Sequence, residues 1–211
     1  MKGVTYVHPV TAICKRAMDM TIAIIGLILA LPLFPIIAIA IKLDSPGPVF
    51  YKQMRIGYQR SNYISLFQMV KFRSMRADAE AKSGPVWAQK NDPRITRLGN
   101  SLRKTRLDEL PQLWNVLVGD MSIVGPRPER PGICNKLERN IPFYTERTYD
   151  VVPGLTGLAQ VNLGYDESID DVRNKVAYDH AYALALSSPV DWLKMDTFIM
   201  FKTFMVLGKG Q

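Results

Sequence analysis

Two carboxylates stand side by side at Asp108 and Glu109 in the stretch TRLDELPQLWN, with Arg103 and Arg106 shortly before them and a proline at Pro111. Adjacent carboxylates can share a divalent cation, since Mg²⁺ takes one or two carboxylates together with substrate phosphates. A carboxylate near arginines is expected to stay ionised and can attack phosphorus as a nucleophile. The same residues admit a plainer reading. Proline sits comfortably in the first turn of a helix, so Pro111 puts a helix start near Asp108. Asp108 would then be an N-cap, alone or in a capping box with Thr105, and Glu109 would complement the helix dipole. Taken alone, the segment favours capping.

Phosphoryl transfer between two anions asks for charge neutralisation more than for a strong base. Lys71, Arg73, Arg94, Arg97, Arg103, Arg106 and Arg127 are the cations available for it. Arg127 stands between Pro126 and Pro128, and a rigid loop suits a bidentate phosphate contact. The net charge of +8 points to anionic partners: lipid headgroups, nucleic acid or phosphorylated substrates. Other chemistries find little support. Cys14 and Cys134 have neither metal-type nor redox-type spacing and read as free thiols, which suits a cytoplasmic location. His8 and His180 are too few for a multi-histidine metal site, and no GxSxG context supports a serine triad.

The elements that must position these residues begin with an uncharged run from Met20 to Ile41. As a helix it would extend roughly 33 Å, enough to cross a bilayer. Two features argue for a bent, re-entrant hairpin in one leaflet instead. Pro32 and Pro35 lie inside the run and each removes a helix hydrogen bond. Basic residues flank both ends, Lys15 and Arg16 before and Lys42, Lys52 and Arg55 after, so the positive-inside rule puts both ends on the cytoplasmic side. A kinked spanning helix is the alternative. A DSPGP turn follows, then two short strands, VFYKQ and YISLFQMVKF, joined near Gly57. AEAKSGPVWAQKNDP reads as a long, functional loop. Two helices are expected over 95–106 and 109–118, then a proline-stiffened loop, GDMSIVGPRPERPG, and a strand-turn segment, VVPGLTGLAQV. An amphipathic helix over 168–186 carries Ile169, Val172 and Val176 at helical spacing. The last helix, DWLKMDTFIMFKTFMVL, is apolar on nearly every face and is expected either in the core or at a membrane interface, where Trp192 would suit.

KFRSM (71–75), DPRITRLGNSLR (92–103), LDELPQLWNVLVGDMSIVGPRP (107–128) and PGLTGLAQV (153–161) resemble the signature blocks of the bacterial monotopic phosphoglycosyl transferases. The resemblance runs from KRxxD at Lys15 to Asp19 through to the C-terminal helix, and so covers nearly the whole chain. It implies an enzyme on the cytoplasmic face of the bacterial inner membrane that moves a sugar-1-phosphate from a UDP-sugar to a polyprenyl phosphate with Mg²⁺, releasing UMP. It also implies that Asp108 is the nucleophile forming a covalent phosphosugar intermediate and that Glu109 helps hold Mg²⁺. By the same resemblance Arg103 meets the polyprenyl phosphate, and Arg127, with Pro126 and Pro128, meets the nucleotide phosphate. Lys71, Arg73 and Arg94 join them as substrate-site candidates. The chain departs from the family pattern at Arg106, where a small residue is commoner, and at Phe34-Pro35, where the kink often has Ser-Pro.

The expected architecture is α+β and helix-rich: a membrane segment over 1–43, then a membrane-associated catalytic domain over 44–211 with a small β-hairpin and interfacial helices. It looks like a minimal catalytic form, without the extra N-terminal membrane helices of larger members. Nucleic acid is not among the expected partners, and a homodimer is left open. Direct displacement without a covalent intermediate is the mechanistic alternative. A membrane-anchored scaffold also fits the charge and the anchor, but gives no reason for adjacent carboxylates in an arginine-rich segment. Nothing in the residues identifies the sugar.

Overall fold

The computed structural model describes residues 6–60, 62–80, 92–142, 144–163 and 169–208. The apolar run forms two helices, α1 (Pro9–Ala30) and α2 (Leu33–Asp44), bent by 61° at the break between them. Both prolines sit where their missing N–H is harmless. Pro32 occupies the cap position of α2 and Pro35 its first turn, where amide protons lack intrahelical partners anyway. The Leu31 carbonyl, which residue 35 would otherwise have bonded, accepts from the Phe34 amide at 3.3 Å. The bend therefore needs no serine hydroxyl. Among the described residues no single helix is long and apolar enough to cross a membrane.

Helix α1 buries a mostly polar stripe and exposes apolar side chains. Thr11, Lys15, Asp19 and Ala23 form a buried i, i+4 stripe on α1, while Ile24, Ile25, Ile28 and Leu29 are exposed. The N-terminal part of α1 is fastened to the rest of the fold. Lys15 donates to Asp196 at 2.9 Å, Asp19 accepts from Ser122 Oγ at 2.7 Å and the Ile123 amide at 2.9 Å, and Arg16 donates to the Val116 and Leu117 carbonyls. Three of the five cations counted above as flanking charge, Lys15, Arg16 and Arg55, thus have partners within the protein.

An antiparallel hairpin follows, β1 (Phe50–Arg60) and β2 (Tyr63–Phe72). Its turn falls after Arg60 rather than near Gly57, as the sequence had suggested. Gly57 lies inside β1, where the register shifts between Ile56 and Gln59, and a side chain there would meet Ser65 Oγ at 2.7 Å. Helix α3 (Arg97–Lys104) begins later than expected because Thr96 caps it, accepting from the Gly99 amide. After a 3₁₀ turn, Leu107–Glu109, come α4 (Gln112–Val118) and β3 (Ser122–Val124). Then come α5 (Pro131–Asn140), β4 (Gly154–Thr156), α6 (Leu158–Asn162), α7 (Ile169–Ala185) and α8 (Pro189–Gly208). The fold is helix-rich α+β, with two two-stranded sheets among the described residues, β3 and β4 pairing in parallel.

The main core joins Ala23 of α1, Phe67 and Met69 of β2, Leu113 and Val116 of α4, and Trp192 and Ile199 of α8. Val172 is buried in a second cluster with Leu137 and Tyr144, and Ile169 and Val176 pack against it, as the helical spacing foretold. Helix α8 divides its two faces sharply. Asp196 is fully buried, accepting from Lys15, Tyr182 and Trp192, whereas Phe201 and Phe204 are 65% and 76% exposed. Trp192 therefore belongs to the core and not to an interface; among the tryptophans described, Trp114 is the exposed one. The long loop's residues 81–91 lie outside the described set, and with them most of GPVWAQKNDP.

Candidate active site

Asp108 and Glu109 do not cap a helix. They lie in the 3₁₀ turn, and α4 starts only at Gln112, with Pro111 at its cap position and no side-chain cap. The Thr105 hydroxyl bonds the Ser101 and Leu102 carbonyls at the end of α3, so no capping box with Asp108 forms. Asp108 is only 6% exposed, and its Oδ1 has no hydrogen-bond partner among the described residues. A buried acceptor left without a donor costs free energy.

Arg106 leads into this turn with φ +56°, in the left-handed region, and its carbonyl accepts from the Glu109 amide at 3.1 Å. For a long non-glycine side chain that conformation costs about 1–2 kcal/mol. The turn brings the two carboxylates under a group of cations. Lys71, at the end of β2, donates to Glu109 Oε1 at 2.7 Å, and Arg127 Nη2 lies 3.6 Å from the same oxygen. Arg103 and Arg106 act electrostatically on Asp108, and Arg106 also on Glu109.

The two carboxyls respond in opposite directions. Burial raises the Asp108 pKa, the adjacent Glu109 charge raises it further, and Lys71, Arg103 and Arg106 offset this only in part. The nearby cations thus lower the Asp108 pKa without fully offsetting its burial and the Glu109 charge. Burial also works against Glu109, but Lys71 and Arg127 outweigh it and hold that carboxyl well below the usual range. Burial likewise lowers the Lys71 ammonium, against the pull of Glu109. One carboxylate is thus locked in ion pairs, and its neighbour is desolvated, which removes the water that attack on phosphorus would have to displace.

Asn115 sets the spacing. Its Nδ2 donates to the Gln68 carbonyl and its Oδ1 accepts from the Val70 amide, stitching α4 to β2 one residue before Lys71. The GPRP loop is held as firmly. Gly154 donates its amide to the Pro126 carbonyl, Arg147 donates to the Arg127 carbonyl, and Arg55 donates to the Pro128 carbonyl. The closely spaced glycines of PGLTGLAQV serve this contact, since a side chain on Gly154 would fall 2.1 Å from the Gly125 nitrogen. Pro126 and Pro128 are buried and shape the loop, so Arg127 is its residue that faces the carboxylates.

Two of the cation candidates go elsewhere. Arg73 is 4% exposed, and its guanidinium donates to the Ile41, Ser45 and Pro46 carbonyls and to Ser45 Oγ, closing the C-terminal end of α2. Arg94 folds back on Asp92, two residues before it. Neither is brought to the carboxylate pair. Asn115, Arg55 and Arg147 had not been singled out as site-forming. A polar residue in the apolar run LWNVL was a usable signal for Asn115. Arg55 stands close to Arg127, and burial together with Arg127 and Arg130 brings its pKa down to about 10.

Among the described residues no group of three or more His, Cys, Asp or Glu side chains is placed to hold a metal ion. The pair fits Mg²⁺ bound jointly with a pyrophosphate, because that ion keeps few carboxylates and takes phosphate oxygens and water for the rest. Asp108 brings an unpartnered oxygen, and Glu109 a second carboxylate already fixed by Lys71.

Residues 10–210 match the model of the bacterial sugar transferase family, and the chain belongs to that family. It is 43% identical over 202 residues to a UDP-N-acetylgalactosamine-undecaprenyl-phosphate N-acetylgalactosaminephosphotransferase of Aeromonas hydrophila, covering 96% of this chain and 45% of that one. A UDP-glucose:undecaprenyl-phosphate glucose-1-phosphate transferase of Escherichia coli is 39% identical over 198 residues, 93% of this chain and 41% of that one. The exopolysaccharide production protein PSS of Rhizobium leguminosarum is 40% identical over 206 residues, 94% of this chain and 98% of that one. The chain thus spans less than half the length of the first two relatives and nearly all of the third.

Proposed function

We propose that the chain moves a sugar-1-phosphate from a UDP-sugar to a polyprenyl phosphate, in two steps on Asp108. The observation that carries this is the buried, unpartnered Asp108 oxygen beside a carboxylate held by Lys71 and Arg127. Asp108 attacks the β-phosphorus of the donor. A new bond forms between its carboxylate oxygen and phosphorus, the bond from that phosphorus to the bridging oxygen breaks, and UMP leaves with the electron pair. An oxygen of the lipid phosphate then attacks the same phosphorus, and the Asp108 carboxylate is regenerated. Arg127 and Lys71 neutralise the pyrophosphate, and Arg103 takes the incoming lipid phosphate. Mg²⁺, held by Asp108 and Glu109 with the donor phosphates, would supply further charge neutralisation. The printed activities of the Aeromonas and Escherichia relatives support the same substrate classes.

The site works at the cytoplasmic face of a bacterial inner membrane, with the hairpin re-entering one leaflet. The apolar outer face of α1 supports this, and so does the fastening of both hairpin ends to one body by Lys15, Asp19 and Arg73. A spanning helix would place those ends on opposite sides.

The chemistry is tested with UDP-N-acetylgalactosamine or UDP-glucose and no acceptor. Intact-protein mass spectrometry should find a sugar phosphate on Asp108, and ping-pong kinetics should follow when undecaprenyl phosphate is added. Normal turnover by Asp108→Asn, with no adduct on the parent, would sink the two-step route in favour of direct displacement. Topology is tested in a Cys14→Ser background by labelling cysteines placed at Tyr6 and Asn62. Labelling from opposite sides would overturn the re-entrant reading.

A further inference from the structure

We infer that the row Tyr51, Gln53 and Arg55 on β1 binds the nucleotide half of the sugar donor, Arg55 at a phosphate and Gln53 and Tyr51 at acceptor oxygens of the nucleoside. The inference rests on the transfer proposed above. Its first support is placement. The three residues stand two apart on a strand and so share one face. Tyr51 pairs with Lys71 across the hairpin, and directly opposed residues lie on the same face. The row thus begins beside the ammonium that holds Glu109. At its other end it grips the GPRP loop. Arg55 Nη1 donates to the Pro128 carbonyl at 2.9 Å, and the next amide, Ile56, donates to the Glu129 carbonyl at 2.8 Å. The row therefore joins the strand of Lys71 to the loop of Arg127, the two cations that flank Glu109.

The second support is the set of bonds the row makes and the ones it leaves. Arg55 Nη2 donates to Gln53 Oε1 at 2.6 Å, and Gln53 Nε2 donates to the Tyr51 hydroxyl at 2.9 Å. These bonds fix the carboxamide with its nitrogen towards Tyr51. The second Nε2 proton and the Tyr51 hydroxyl proton have no acceptor among the described residues, and Tyr51 is 40% exposed. Both can donate to oxygens of a ligand. Charge points the same way. Lys71, Arg130 and Arg147 face Glu109, Glu80 and Asp179 in turn. Both acceptors of Arg55 are neutral instead, and its buried Nε has no partner among the described residues. A phosphate would supply the opposite charge. A nucleotide matches both halves of the row, being anionic at one end and rich in carbonyl and hydroxyl oxygens at the other.

Binding without turnover tests this. The full chain in detergent with Mg²⁺ is titrated with UDP and, separately, with inorganic pyrophosphate, and thermal melting is followed for each variant. Tyr51→Phe and Gln53→Met each remove a neutral donor. They should weaken UDP binding about fivefold and leave pyrophosphate binding as in the parent. Arg55→Gln should weaken both ligands about tenfold or more. In UMP release, the Tyr51 and Gln53 variants should lose more in KM for the UDP-sugar than in kcat, because the nucleoside lies away from the bonds that change. Unchanged UDP affinity in Tyr51→Phe and Gln53→Met, or an equal loss for UDP and pyrophosphate in both, would overturn the assignment. So would parental pyrophosphate binding in Arg55→Gln, or a rise confined to KM for undecaprenyl phosphate, which would give the row to the acceptor. The transfer reading fails separately, if the parent binds UDP but releases no UMP from UDP-N-acetylgalactosamine or UDP-glucose.

Discussion

Lys71 Nζ lies 2.7 Å from Glu109 Oε1, joining the end of β2 to the 3₁₀ turn across 38 positions of sequence. Both side chains are largely buried, at 15% and 12% exposure. Removing one partner leaves the other charge desolvated. Lys71→Met should cost about 3 kcal/mol of stability, and Lys71→Met with Glu109→Gln less than the sum of the two singles. Lys71→Arg should not restore activity, because guanidinium and ammonium place their donors differently. A thermal-melting double-mutant cycle checks the first claim and UMP release the second.

Asp108 should trade stability for reactivity. Its folded-state pKa is raised above 3.8, so the fold disfavours the ionised form. That penalty is absent below the unfolded pKa and grows as pH rises through the folded one. Asp108→Asn should therefore melt higher than the parent near neutral pH, with the gap closing as the pH drops towards about 4. Its UMP release should be lost at every pH. Glu109 has the opposite sign, since its depressed pKa contributes stability above the ordinary 4.5 that is lost only in stronger acid. Glu109→Gln should lower the neutral-pH melting temperature.

Arg73 should prove structural. Its donors close the end of α2, so Arg73→Ala should destabilise by about 3 kcal/mol through several lost charge-assisted bonds. Proteolysis near Ser45 should accelerate. KM for the UDP-sugar in the fraction that remains folded should not move. A selective rise in that KM would instead place Arg73 at the donor.

Asn115→Ala removes the stitch between α4 and β2, leaving the Val70 amide and Gln68 carbonyl without it. A loss of about 2 kcal/mol is expected from these groups. Because Lys71 follows Val70, UMP release should fall further than stability alone explains. The comparison is made at a temperature where melting shows the variant still folded.

Local chemistry made much of this protein readable in one dimension. The uncharged run with two internal prolines can only be a bent apolar helix, because proline removes backbone donors wherever it stands. Adjacent carboxylates among arginines, and an arginine between prolines, raised phosphate chemistry as a reading beside helix capping. Helical spacing placed Ile169, Val172 and Val176 on one face for the same local reason. What the sequence could not assign was which cation goes where. Lys71 and Arg73 lie two residues apart, yet one reaches Glu109 and the other the end of α2. Their partners are distant in sequence and are chosen by packing, not by spacing. The same holds for Asp108. Its segment reads as a helix cap, whereas the structure sets it in a buried 3₁₀ turn after the left-handed Arg106, with its Oδ1 lacking a donor among the described residues.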